Sequence, residues 1–115
     1  MSKKKSPAVY LEDILESIKK IEKYTKGMSK EEFFSNDLII DGVIRNLEII
    51  GEATKKLPTT LKENHSHIPW KEIAGMRDIL IHDYSGVDAQ VIWDTIKEDL
   101  PTLKKQIQEI LKQIP

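Results

Sequence analysis

The aliphatic residues of this chain recur with the period of an α-helix, and no stretch of useful length alternates with the period of a strand. Leu11, Ile14, Leu15, Ile18 and Ile21 follow a Ser6-Pro7 pair that reads as a cap and a first-turn proline, and Gly27 stops the run. Val91, Ile92, Ile96, Leu100, Leu103, Ile107, Ile110 and Leu111 repeat the pattern behind an Asp88 cap, with Pro101 expected to kink or interrupt that last helix. Such stripes bury only against other helices, so the expected fold is all-α, an up-and-down bundle of about four main helices.

Between the two stripes, Ser29 and Glu32 have the spacing of a capping box, which predicts a short helical turn carrying Phe33 or Phe34 into the core. The segment NDLIIDGVIRNLEIIGEATKKLP reads as a second long helix, capped by Asn36 or Asp37 and closed before Pro58. Its glycines, Gly42 and Gly51, each cost about 1 kcal/mol against alanine. Nine positions apart, they lie about 180° around the helix. This suits a central helix with close neighbours on two sides, from its own protomer on one and a second protomer on the other. PTTLKENHSHIPW is a polar connector with one helical turn, and Pro69 opens a third main helix through Trp70, Ile73, Ala74, Arg77, Leu80 and Ile81.

A length of 115 residues suits one domain over 1–115, with residues 1–6 a flexible basic N-terminus. Lys3, Lys4 and Lys5 read as a solvated end, with phosphate contact as the sharper alternative. The absence of cysteine excludes disulfides, thiolate metal sites and cysteine nucleophiles, and is compatible with the cytoplasm. No apolar run approaches the roughly 20 residues of a membrane span, and no export signal is recognisable. The net charge of −1 is not that of a protein gripping nucleic acid along a long track, so any nucleic acid must meet local cations.

Chemistry concentrates in GMRDILIHDYSG, residues 75–86. On one straight helix Arg77 and His82 stand about 140° apart and cannot form a same-face pair. They meet only if the helix ends near Ile81 or if a two-fold dimer brings both copies together; otherwise Arg77 pairs with a local acid and His82 caps the helix. His65 and His67, with His82 as a third group, form a weak metal pattern whose ordinary reading is a solvated loop. Asp41, Arg45, Glu48 and Glu52 share a stripe of the second long helix, either mutually supporting charges or the wall of a cleft. Trp70 and Trp93 read as core anchors rather than base-stacking platforms. No phosphate-binding glycine loop, nucleophile elbow or zincin pattern is present.

Arg77, four residues, His82, one residue and Tyr84 resemble the R-x4-H-x-Y signature of HEPN-domain toxins of the HepT type. The blocks VIRNLEIIGEATKKLP, IPWKEIAGMRDILIHDYSGVD and WDTIKEDLPTLKKQI resemble that family's sequence in its order. The resemblance implies a HEPN-like homodimer and a metal-independent endoribonuclease with no cofactor, acting on RNA in a cleft between subunits. It implies Arg77 and His82 as catalytic residues, Asp78 as a supporting polar residue, and Tyr84 as the acceptor of AMP from a minimal nucleotidyltransferase antitoxin. The alternative it leaves is a non-catalytic subunit that partners such a nucleotidyltransferase.

Overall fold

The computed structural model describes residues 6–75 and 88–114. Among these the chain is helical and without strands: α1 (Pro7–Thr25), α2 (Lys30–Phe34), α3 (Asp37–Lys55), α4 (Thr59–Asn64), α5 (70–75), α6 (Ala89–Asp94), a π-helical turn (Thr95–Asp99) and α7 (Leu100–Gln113). No helix among the described residues is long and apolar enough to cross a membrane.

Helix α1 starts as its sequence dictates. Pro7 occupies the first turn, and the Val9 N–H donates to the Ser6 carbonyl at 3.0 Å. Leu11, Ile14, Ile18 and Ile21 are fully buried, whereas Leu15 packs only partly against the core. Beyond Thr25 the backbone turns at Gly27, whose φ of +76° would strain any residue with a Cβ. The capping box forms: the Glu32 N–H donates to Ser29 Oγ at 3.1 Å, and the Ser29 N–H donates to Glu32 Oε1 at 2.9 Å. Those bonds from Ser29 hold the Glu32 carboxyl below the usual carboxylate range. Of the two phenylalanines it is Phe33 that is buried, with its ring centroid 5.2 Å from that of Trp93, while Phe34 faces outward.

Helix α3 is capped by Asn36 rather than Asp37, through the Ile39 N–H donating to Asn36 Oδ1 at 3.1 Å. It packs most extensively on α1. The Tyr24 ring near the end of α1 lies over Gly42 near the start of α3, so the two helices run antiparallel. Gly51, on the opposite side, is buried, whereas Gly42 is half-buried. A Cβ built at Gly42 meets the Tyr24 ring at 3.4 Å, an ordinary contact, so alanine fits there. Gly42→Ala is therefore expected to raise stability by up to about 1 kcal/mol, the helix-propensity difference, seen as a higher midpoint of thermal unfolding.

The polar connector contains α4, and Pro69 sits one residue ahead of α5, its carbonyl accepting from the Ile73 N–H at 3.1 Å. Proline thus caps this helix instead of occupying its first turn. The expected break at Pro101 takes a specific form. Through Thr95–Asp99 the chain widens into a π turn in which the Leu100 N–H donates to the Thr95 carbonyl, and α7 continues from there. A proline in regular helix lacks one donor and presses its ring on the carbonyl four residues back, and a wider turn relieves that clash. Leu103, Ile107 and Ile110 then bury against the rest of the core. Lys104 pairs with Glu22 at 2.9 Å, and Pro7 lines one shallow depression with Ile110 and Ile114, so α7 runs antiparallel to α1.

Candidate active site

Arg77, Asp78, His82 and Tyr84 fall in segment 76–87, outside the described residues, as do Lys3, Lys4 and Lys5. What the fold describes is the frame on either side of that segment. On the entering side, α5 is held by Ile68, Trp70 and Ile73, all buried, and Trp70 Nε1 donates to the His65 carbonyl at 3.0 Å. Trp70 is the anchor its sequence context predicts, and its indole bond locks the connector to the first turn of α5. On the leaving side, Asp88 caps α6 by accepting from the Gln90 N–H at 2.8 Å, and Ile92 is buried one turn later. Trp93 backs that turn, half-buried against Phe33, with Lys97 Nζ 4.6 Å above its ring.

The other polar groups singled out in the sequence are also placed. The His65 and His67 rings lie 6.1 Å apart between centroids, with His67 exposed. Among the described residues no three histidines or carboxylates gather as a metal site would require. Along α3, Asp41 and Arg45 are exposed while Glu48 and Glu52 are half-buried. Glu52 also reaches Lys56 at 3.9 Å, an exposed pair of little energetic weight.

A cleft of about 460 Å³ opens between α3, α5 and the start of α7, floored by Ile50, Ile73 and Leu103 and rimmed by His67, Glu72, Glu98 and Asp99. Among the described residues its rim carries three carboxylates and no lysine or arginine, so these residues do not attract a phosphate chain. The cations gather elsewhere. Residues 19–30 carry five of the chain's 18 lysines and arginines and one of its 19 acids, a concentration that a sequence reading focused on Lys3–Lys5 overlooks.

Residues 14–110 match the family model described as "Ribonuclease HepT-like". The chain belongs to the HepT-like family. The match spans both framing helices and the segment between them. Similar curated proteins agree. The HepT-like chain is 49% identical over 109 residues, 95% of its own length and 99% of the other's, to "Probable ribonuclease HepT" of Thermococcus cleftensis. It is 49% identical over 109 residues to "Putative RNase TTE0752" of Caldanaerobacter subterraneus, covering 95% and 97% of the two chains. It is also 49% identical over 111 residues to "Gamma-glutamylcyclotransferase and putative RNase MJ0434" of Methanocaldococcus jannaschii. That alignment takes in 96% of this chain but spans only half the length of that relative. No solved structure matches the chain.

Proposed function

We propose that this HepT-like chain is a metal-independent endoribonuclease, the toxin of a toxin–antitoxin pair, working as a cytoplasmic homodimer whose Arg77 and His82 residues line a shared cleft. The observation that carries the reading is the Arg77, His82 and Tyr84 spacing inside a chain matched over 14–110 by a ribonuclease family model.

The chemistry suits those side chains. The RNA 2′-hydroxyl attacks the neighbouring phosphorus as a base takes its proton, and the 5′-oxygen leaves as an acid supplies one; the products are a 2′,3′-cyclic phosphate and a free 5′-hydroxyl. Histidine, with an ordinary pKa of about 6.5, exchanges protons near neutrality, and two copies of His82 supply one base and one acid. Arg77 stays charged and forks two hydrogen bonds onto phosphate oxygens as negative charge builds at phosphorus. Because Arg77 and His82 stand about 140° apart on a straight helix, a helix end or a second subunit is needed to bring them together. Asp78 supports the arginine.

Tyr84 is the off switch in this reading. Its hydroxyl oxygen attacks the α-phosphorus of ATP on a nucleotidyltransferase antitoxin, pyrophosphate leaves, and the tyrosine keeps an AMP group. Bulk and negative charge beside Arg77 and His82 then exclude RNA. The rival reading, a non-catalytic partner subunit of the nucleotidyltransferase, draws on the net charge of −1.

Incubating the purified chain with RNA and mapping cyclic-phosphate ends tests the nuclease, and intact RNA supports the rival. Mass spectrometry after treatment with a neighbouring nucleotidyltransferase and ATP is expected to show AMP on Tyr84 and on no other tyrosine. An unmodified Tyr84 removes the switch and leaves the nuclease standing.

A further inference from the structure

We infer that the C-terminal half of α1, with the adjoining face of α7, is the surface that docks the RNA backbone; this rests on RNA being the substrate. Lys19 and Lys23 fall on one side of the helix by their spacing and Lys26 is its C-cap; the three span about 10 Å along the axis and are exposed together with Lys20. Among the described residues no ion pair engages any of these four lysines. The single acid between residues 19 and 30, Glu22, is committed to Lys104 of α7 at 2.9 Å, so its charge is already balanced. Glu31 and Glu32 lie just beyond, so residues 19–32 together with Lys104 carry six lysines against three acids. The patch therefore keeps its positive sign although the whole chain is slightly acidic.

Two contrasts give the patch a direction. The preceding half of α1 carries Glu12, Asp13 and Glu16, so a phosphate chain is repelled there and drawn toward the end of the helix. On the opposite flank of α7 the described rim of the cleft carries Glu72, Glu98 and Asp99, carboxylates that repel a phosphate chain. The favoured end of α1 leads through the turn at Gly27 into α2, and α2 packs on α6. Helix α6 begins just after its cap Asp88, where the chain returns from the segment holding Arg77 and His82. RNA held on these lysines thus lies at the end of the molecule where the catalytic segment rejoins the fold.

The test uses the full chain in a His82→Ala background, which leaves RNA uncut, and measures binding of a fluorescent single-stranded RNA at several salt concentrations. Each lost phosphate contact lowers the slope of log affinity against log salt by about 0.7 for a single strand. Combining Lys19→Ala, Lys23→Ala and Lys26→Ala is expected to reduce that slope by about 2 and to weaken binding at least about tenfold near 0.1 M salt. Lys56→Ala, Lys62→Ala and Lys112→Ala together change the net charge equally on other faces and are expected to leave the slope alone. With His82 intact, the α1 triple variant is expected to slow cleavage of long RNA while a dinucleotide is cut at the unmodified rate.

Equal slopes for the two triple variants would overturn the assignment, whether or not the chain cuts RNA. So would an α1 triple variant that loses affinity for phosphatidylglycerol vesicles but not for RNA. RNA that binds through the α1 lysines yet is never cleaved by the unmodified chain upholds the docking surface and removes the nuclease reading alone. Lysine-to-alanine changes on an exposed helix face keep helix propensity, and matching thermal midpoints confirm that the fold is intact.

Discussion

His82→Ala is expected to abolish RNA cleavage, slowing it by at least about 10²- to 10⁴-fold, the usual worth of one positioned acid or base. In a homodimer the change deletes both histidines at once, so the loss falls at the upper end of that range if one copy acts as base and the other as acid. Arg77 remains to bind phosphate, and the affinity for RNA is expected to change far less than the rate. The measurement is single-turnover cleavage of a labelled RNA with the enzyme in excess, which separates binding from chemistry. Growth arrest on expression provides the cellular counterpart. If His82→Ala cuts RNA as fast as the unmodified protein, the histidine has no part in the reaction and the mechanism built on it falls.

Phe33→Ala is expected to be the most damaging single change to the fold, at about 3–5 kcal/mol. Phe33 is fully buried although it sits on a helix of only five residues, and its ring packs 5.2 Å from Trp93 between centroids. Removing it opens a cavity where α2 meets α6, and so loosens the leaving end of the 76–87 segment. Domains of this size hold together by about 5–15 kcal/mol in all, so roughly a fifth or more of the stability is at stake. Urea unfolding is expected to show a lower midpoint with an unchanged slope. The adjacent Phe34, 38% exposed, provides the contrast, with Phe34→Ala expected to cost about 1 kcal/mol or less. Comparable losses at the two positions would mean that the Phe33–Trp93 contact does not hold this end of the molecule together.

Why sequence singled out a phenylalanine pair but not which member is buried follows from geometry. Neighbouring helical residues point about 100° apart, and only the position of α3 and α6, brought in from elsewhere in the chain, decides which side of α2 is inside. Features made by residues three or four apart were legible: the Ser29–Glu32 box, the Ser6-Pro7 start and the stop at Gly27 are local chemistry with few alternatives. Pro101 was legible as an interruption, because a missing donor is a covalent fact. Its resolution as a π turn depends on how α6 and α7 must both reach the core. The lysine surface stayed hidden for the same reason, since Glu22 is neutralised by a partner 82 residues away. At the candidate site the residue types and their spacing were legible, together with the geometric demand for a helix end or a second subunit.

The meeting of Pro7 and Ile114 in one shallow depression makes the fold nearly a closed ring. Joining such ends through a few added residues, and cutting the chain at an exposed turn such as Gly27, would reorder the sequence while leaving the α1–α3 and α1–α7 contacts in place. The same closeness suits modular architecture. A neighbouring domain attached at either end emerges from one corner of the bundle, so the helices keep their packing whichever end carries the addition. A longer chain can then carry such a bundle beside another domain without rebuilding its interior.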